Sequence, residues 1–229
     1  MEYKRYALYY APPEDAEWAR FCTRWLGWDM TEGQVVAPPE MPPLPLDHAE
    51  IIRAPRKYGL HATLKPPFRL TNGTTPEGLE KACEELCARI APFDLDGLQL
   101  ARLGRFIALR IQGSDTAMRA LADTLVRDLD SFRAPPSEED LKRRRGKGLP
   151  PAQEANLVQW GYPYVMEEFR FHITLSSSLP RDAIEPVETV LHERLTPLLP
   201  QPVPIRNVAL VGEADDGKFH MVRRFRLGG

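Results

Sequence analysis

The chain has 229 residues, 23 of them proline, and proline and glycine together make up about 17% of the sequence. This share lies below the roughly 25–30% typical of low-complexity chains, and 43% hydrophobic residues are sufficient for a buried core, so the composition argues against disorder. With 30 Lys and Arg against 32 Asp and Glu, the formal net charge of −2 excludes a general electrostatic attraction to nucleic acid or anionic membranes.

The sequence contains no run near the roughly 20 apolar residues of a membrane span. Residues 1–6 lead directly into an alternating pattern without an apolar signal core, and the three cysteines are an odd number. These features predict a cytoplasmic protein of a reducing compartment that has no contact with a membrane. No feature of the sequence indicates an obligate protein partner.

Prolines divide the first half of the chain into separate windows, because proline is excluded from helix interiors and central strands. In chain order, the hydrophobic patterns predict a strand at 3–11, a helix at 15–27, a proline-rich connector at 38–45, a strand around His61, a helix at 76–90 and two strands within 93–111.

The second half continues with a helix at 118–132, a short segment at 137–146 that opens with acids and closes with bases, and a short helix at 151–160. A strand at 169–176, a helix through Val187 and Leu198, and two strands at 205–211 and 218–227 follow.

The order strand, helix, hairpin therefore occurs twice, at about 58–111 and about 168–227. This repetition predicts an α+β protein, bilobal and pseudo-duplicated, in which each lobe is an antiparallel sheet with helices on its outer face. We expect one domain over residues 1–229. The insertion 135–164 precedes the second repeat and is a candidate lid.

Each repeat opens with the same four-residue pattern, His61-Ala62-Thr63-Leu64 in the first and His172-Ile173-Thr174-Leu175 in the second. Side chains alternate between the two faces of a strand, so each strand is expected to have one polar face. The predicted polar faces carry His61, Thr63 and Lys65 in the first strand and Arg170, His172, Thr174 and Ser176 in the second.

This set of side chains is suited to phosphate chemistry. Two imidazoles with ordinary pKa values near 6.5 are able to serve as a base and an acid at neutral pH. Threonine hydroxyls donate to phosphoryl oxygens, while Lys65 or Arg170 would offset their charge. The alternative is that His-x-Thr is incidental, because threonine is common in strands and a lone histidine is usually structural. Two symmetric copies favour the functional interpretation.

The doubled His-x-Thr pattern resembles the 2H phosphoesterase superfamily, and the strings at 58–70 and 160–175 are similar to the branch found with bacterial phosphonate-degradation genes. The resemblance implies a bilobal fold with one motif from each lobe facing the other across a cleft. It also implies His61 and His172 as catalytic acid and base, not individually assigned, with Thr63 and Thr174 as phosphate ligands. Ser176 stands where the first motif has Lys65, so the two lobes are not chemically equivalent.

Other candidate groups have simpler explanations. Cys83 and Cys87 lie on the apolar stripe of their helix and are predicted to be buried rather than to form a metal or redox pair. Neither strand supplies further metal ligands on its polar face, so we expect no metal and no cofactor. For His48, His192 and His220 the sequence favours no catalytic role.

Two features remain open. The basic run at 142–147 has two possible roles. It contacts phosphate or RNA over the cleft, or it is the solvated end of a helix, where basic residues interact favourably with the helix dipole. Tyr58, Trp160, Tyr162 and Tyr164 either stack on a nucleobase or sugar or, for most of them, pack in the core.

The predicted function is a metal-independent cyclic phosphodiesterase. By resemblance, its substrate is a small-molecule cyclic ribose phosphate of phosphonate metabolism or, second, a 2′,3′-cyclic nucleotide or RNA end. The alternatives are a non-catalytic module that binds RNA or nucleotides, and a ligase-like activity that runs the reaction in reverse.

Overall fold

Two main antiparallel sheets and seven α-helices make up the protein in a computed structural model, which describes residues 3–146 and 148–229. The strands are β1 (Arg5–Tyr10), β2 (Trp28–Asp29), β3 (Gln34–Val35), β4 (Ala62–Phe68), β5 (Phe93–Leu95), β6 (Gly97–Leu103), β7 (Phe106–Gln112), β8 (Ile173–Thr174), β9 (Val203–Ile205), β10 (Asn207–Glu213) and β11 (Phe219–Arg226). The helices are α1 (Glu17–Leu26), α2 (His48–Ile51), α3 (Pro76–Cys87), α4 (Thr116–Asp128), α5 (Glu138–Arg145), α6 (Pro151–Trp160) and α7 (Arg181–Leu195). The α+β class is thereby confirmed.

The larger sheet has the strand order β11-β10-β1-β4, and the smaller sheet has the order β6-β7-β8. Helices α3 and α4 pack on the larger sheet, and α7 packs on the smaller one. One main hydrophobic core joins both halves. Trp25 of α1 is fully buried in it and donates a hydrogen bond from Nε1 to the carbonyl of Leu175, at 2.8 Å, beside the second motif.

The two repeats interlock, and neither forms a lobe on its own. Strand β4 of the first repeat lies in the sheet that holds the second repeat's hairpin, β10–β11, with β1 between them. Strand β8 of the second repeat pairs with β7, which belongs to the first repeat's hairpin. The short strands β5 and β9, each just before its hairpin, pair with one another. Each lobe therefore combines segments from both repeats.

Several element boundaries follow the chemistry of the sequence. Helix α1 ends at Gly27, whose φ of 71° is in the left-handed region and whose N–H donates to Thr23 and Arg24 carbonyls. Helix α6 ends at Gly161 in the same way. Helix α5 is capped at its N-terminus by Ser137, whose hydroxyl accepts from the Asp140 N–H, and it ends in four basic residues. These features confirm the predicted helix ends.

One expected element is shorter than predicted, and two observed features were not predicted. The predicted strand at 169–176 is reduced to Ile173–Thr174, because the Leu175 and Ser176 N–H groups both donate to the Ile107 carbonyl and end the regular ladder. The β2–β3 hairpin and α2 were also not predicted from the sequence.

The remaining structural predictions concern membranes and cysteines. Within residues 3–146 and 148–229, no helix has the length and apolar character needed to cross a bilayer. Cys83 and Cys87 are free thiols buried in the core, as predicted, and burial raises their pKa values to about 12 and about 11.

Candidate active site

The two His-x-Thr motifs line one cavity of about 670 Å³, a volume within the range of small-molecule sites. His61 immediately precedes β4 of the larger sheet, and Thr63 lies near the start of that strand. His172 immediately precedes β8 of the smaller sheet, and Thr174 lies in it. The structure thus brings together the four residues that the repeated pattern singled out, from the two sheets.

Both histidines are held by the same backbone contact. His61 Nδ1 lies 3.0 Å from the carbonyl oxygen of Gly59, and His172 Nδ1 lies 2.7 Å from that of Arg170. A carbonyl only accepts hydrogen bonds, so Nδ1 of each ring carries the proton. Nε2 is therefore the nitrogen left for proton transfer, as an acceptor in the neutral ring or a donor in the charged ring.

The turn before His61 depends on Gly59. Its φ of 69° is in the left-handed region, and a Cβ there would lie only 3.1 Å from Met30 Cβ. Glycine therefore allows the carbonyl that orients His61 to approach the ring from the preceding turn.

Aromatic packing changes the acidity of His61. Its ring stacks on Tyr9, with centroids 4.0 Å apart, and Tyr58 lies against it at 5.6 Å. Burial lowers the pKa of His61 to about 4; the charge of His172 acts in the same direction, and the hydrogen bond to Gly59 opposes both. His61 is therefore neutral at pH 7.

Thr63 and Thr174 line the cavity with hydroxyl groups that are available for hydrogen bonding to a ligand. Both residues are half-buried, and neither hydroxyl has a hydrogen-bond partner within the described part of the chain. Their O–H groups are free to donate to a ligand.

Lys65 does not line the cavity, contrary to the alternation expected for its strand. Tyr9 and Leu8 are consecutive on β1, but their partners on β4, Thr63 and Lys65, are two residues apart, which is a β-bulge. The bulge turns Lys65 into the core, where its ammonium donates to the Val126 carbonyl at 2.9 Å. It lies 3.6 Å from Asp130, and burial lowers its pKa to about 8.

Arg170 and Ser176 are also outside the cavity. The Arg170 guanidinium donates to the carbonyls of Glu167 and Phe169, at 2.7 Å each. The buried Ser176 hydroxyl accepts from the Ile107 N–H and donates to the Ser177 carbonyl, both at 2.9 Å. Both side chains are engaged by backbone groups, so the predicted ligand roles of Lys65, Arg170 and Ser176 are not supported by their positions.

The positive charge of the cavity comes instead from five other side chains, with Asp140 as the one carboxylate among its described lining residues. The cations are Arg5, Lys57, Arg69, Arg143 and Arg144. Sequence reasoning missed Arg5, Lys57 and Arg69. For Arg5 the signal was present, because a charged residue opens an otherwise apolar strand.

Helix α5 covers part of the cavity. Asp140 accepts from Arg69 at 3.1 Å and from Arg143 at 2.5 Å, which links α5 to the end of β4. Burial opposes ionisation, but these bonds and that from Ser137 lower the pKa of Asp140 to about 2. Of the basic run, Arg143 and Arg144 line the cavity, Arg145 pairs with Glu154, and Lys147 lies outside the described residues.

The remaining aromatic residues and histidines considered from the sequence differ in whether they line the cavity. Tyr58 and Tyr162 line the cavity, whereas Tyr164 is half exposed and, like Trp160, is not among the lining residues. His48 packs edge-on against Trp25, and His192 bonds to Thr196 at the surface. In the described parts of the chain, no three His, Cys, Asp or Glu side chains cluster in a way that could hold a metal ion.

Residues 63–220 match the family described as "Protein of unknown function (DUF1045)". The chain belongs to this family. Two curated relatives are both described as "Ribose 1,5-bisphosphate phosphokinase PhnN": one from Janthinobacterium sp. (strain Marseille), 39% identical over 76% of this chain, and one from Laribacter hongkongensis (strain HLHK9), 36% identical over 76%. The DUF1045 chain spans about two fifths of the length of these relatives, 39% and 40%.

Solved structures similar to the DUF1045 chain include TT0787 of Thermus thermophilus, with a TM-score of 0.47 and 19% identity over 98% of both chains. Another is E. coli LigT complexed with 3′-AMP, with a TM-score of 0.48 and 16% identity over 100% of both chains. A structure described as a phosphoesterase has a TM-score of 0.44 and 18% identity over 99% of both chains.

Proposed function

We propose that this protein is a cyclic phosphodiesterase that opens a cyclic phosphate, of the cyclic ribose phosphate or 2′,3′-cyclic nucleotide type. The observation that carries this proposal is the paired arrangement of the site. Two histidines, each with Nδ1 fixed by a backbone carbonyl, share one cavity with two threonines whose hydroxyls are free. A binding site alone needs no such pair of proton-transfer groups.

His61 is the general base in this mechanism. Because burial lowers its pKa to about 4, its neutral Nε2 is available at pH 7 to take a proton from water. The water oxygen attacks phosphorus in line with the ring oxygen that leaves. A bound phosphate anion raises the basicity of the ring, because an opposite charge favours the protonated form.

His172 is the general acid. As the bond from phosphorus to the ring oxygen breaks, His172 Nε2 donates a proton to that oxygen, which leaves as a hydroxyl, and the product is a phosphomonoester. Thr63 and Thr174 donate hydrogen bonds to the non-bridging oxygens. The cavity's arginines and Lys57, rather than Lys65, provide the compensating charge.

The name of the curated relatives supports a ribose phosphate as the substrate class, because it refers to a phosphorylated ribose. From the resemblance of the two motif strings to the phosphonate-associated branch, the proposal also includes a reaction in phosphonate metabolism, in the cytoplasm, without a metal or another cofactor. The kinase activity in that name belongs to relatives of about twice this length and is not assigned to this chain.

The second candidate is a non-catalytic module that binds nucleotides or RNA, and the arginines and tyrosines of the cavity favour it. A panel of cyclic phosphates incubated in ¹⁸O-labelled water with excess chelator separates the two. The proposal predicts a phosphomonoester that carries one ¹⁸O atom. Binding without label incorporation would favour the module, and loss of turnover only in chelator would place a metal in the reaction. If the protein instead joined two RNA ends, this would indicate the ligase-like activity that runs the reaction in reverse.

A further inference from the structure

The cations of the cavity are concentrated in a recess that opens from it. Arg5, Arg69, Arg133 and Arg144 line this recess, which has a volume of about 40 Å³ and shares Arg5, Arg69 and Arg144 with the main cavity. We call it the arginine recess. Asp140 is the one carboxylate among its described lining residues.

Three of the four arginines have acidic partners. Arg5 forms two hydrogen bonds with Glu213, at 2.5 and 2.9 Å, and Arg133 forms two with Asp130, at 2.7 and 3.1 Å. Arg69 shares Asp140 with Arg143. These contacts hold the guanidinium groups in place around the recess.

Arg144 differs from the others. Among residues 3–146 and 148–229 it has no carboxylate within 4 Å, and its guanidinium lies over the ring of Tyr162, 4.4 Å from the centroid. It is half-buried, and burial lowers its pKa. A half-buried guanidinium without an ion-pair partner has donors available for an anion that enters the recess.

The recess is separate from the reacting centre. Arg69 lies just beyond the end of β4, six residues after Thr63. His61, Thr63, His172 and Thr174 are not among the described residues that line the recess, so a phosphate held by the two threonines would lie outside it. Its small volume suits one terminal phosphoryl group.

We propose that the substrate carries a second, terminal phosphate, remote from the cyclic phosphate, which binds in the arginine recess to Arg144 and Arg69. This inference rests on the proposed function and narrows its substrate class to cyclic phosphodiesters that also bear a phosphomonoester or a terminal diphosphate. Arginine suits this role because its planar fork of donors binds phosphate oxygens in pairs.

The test compares hydrolysis of adenosine 2′,3′-cyclic phosphate carrying a 5′-hydroxyl, a 5′-phosphate or a 5′-diphosphate. We expect kcat/KM for a 5′-phosphorylated form to exceed that for the 5′-hydroxyl form by about 10- to 100-fold, the range for charge-assisted hydrogen bonds. In Arg144→Gln this ratio should fall at least fivefold. Arg145→Gln is the matched control, because Arg145 is the next residue of α5 and pairs with Glu154 instead; its ratio should equal that of the wild type.

Three results would overturn the inference while hydrolysis itself stands. The first is an equal kcat/KM for all three substrates, and the second is a preference that survives Arg144→Gln. The third is a dinucleotide with a cyclic phosphate end that is preferred as strongly and with the same dependence on Arg144, because the recess would then bind chain backbone. If no cyclic phosphate turns over, the proposed function fails. Calorimetry then tests separately whether the recess binds a terminal phosphate. Binding of 5′-AMP over adenosine that is lost in Arg144→Gln supports it, and equal binding of the two refutes it.

Discussion

At the scale of single residues, the two histidines occupy matching positions in unequal surroundings. His61 is stacked on Tyr9 and has a pKa of about 4, whereas His172 has Phe106 as its aromatic neighbour, at 6.1 Å. Equivalent side chains in different environments are suited to opposite roles in proton transfer. The environment thus supports an assignment of base and acid that the sequence left open.

The unusual acidity of His61 is directly measurable. We expect its ring to titrate near pH 4 in the free protein, followed by NMR of the imidazole protons, and the acidic limb of kcat/KM to fall in the same range. In His172→Gln the pKa of His61 should rise, because the charge of His172 lowers it. A His61 that titrates near 6.5 in the wild type would contradict its assignment as a desolvated base.

Lys65 provides a test of the corrected site. Because its ammonium lies in the core, Lys65→Met should keep kcat/KM within about threefold of the wild type. A loss of about 100-fold would restore the sequence-based role as a phosphate ligand.

The stability of the same variant should depend on pH in a defined direction. The pKa of Lys65 is about 8 in the folded state, below the ordinary 10.5 of the unfolded chain. Between these values the unfolded state binds more protons, so the wild type gains stability as pH rises from 8 to 10.5. The methionine variant lacks this gain, and its stability relative to the wild type should fall across that window in urea unfolding. If the difference in stability between the wild type and Lys65→Met did not change between pH 8 and 10.5, Lys65 would be solvated.

At the scale of elements, α5 is attached to the larger sheet mainly by charge. It has no fully buried residue, and Asp140 links it to Arg69 at the end of β4. Weak hydrophobic packing and exposed ion pairs are typical of segments that open locally. Helix α5 is therefore suited to admit substrate and then cover it, which is the lid role proposed for residues 135–164.

Breaking that link should affect binding more than chemistry. In Asp140→Asn we expect faster amide hydrogen exchange in α5 and a KM raised about two- to tenfold, with kcat within twofold of the wild type. The matched control is Glu154→Gln, which removes the Arg145 ion pair outside the cavity. Equal effects of the two variants would show that the contact to Arg69 has no special part in holding α5.

Features set by neighbouring residues in the sequence could be predicted, whereas features set by pairing between distant strands could not. The helix ends at Gly27 and Gly161 were predictable because glycine readily adopts the left-handed conformation that both residues have at the helix C-cap. The misplacement of Lys65 follows from a bulge that is set by pairing with β1, more than 50 residues earlier in the chain. A local alternation pattern contains no information about such a register shift.

At the scale of the whole molecule, the duplication is visible in the sequence but its assembly is not. The order of elements indicated two copies, and the structure shows that each motif strand lies in a sheet with the other copy's hairpin. Strand partners are chosen by long-range packing, so separate lobes and interlocked lobes have the same sequence pattern. The meeting of His61 and His172 in one cavity was expected from the resemblance that the repeated motif carries.

Interlocking predicts that neither half folds independently. Fragments 1–147 and 148–229, prepared separately, should lack cooperative thermal unfolding, because β8 without β7, and β10–β11 without β1, leave apolar faces uncovered. Mixed or co-expressed, the two should restore one transition and the hydrolytic activity. A separate fragment that melts cooperatively would show that one repeat is a self-sufficient lobe.

The central claim is that His61 and His172 together open a cyclic phosphate. The most direct measurement is kcat/KM on a 5′-phosphorylated 2′,3′-cyclic nucleotide for the wild type, His61→Ala, His172→Ala and the surface control His192→Ala, all in excess chelator. The account predicts a loss of at least about 100-fold for each cavity histidine, within the 10²–10⁴-fold range of general acid–base catalysis, and wild-type activity for His192→Ala. Turnover that survives either cavity substitution would contradict it.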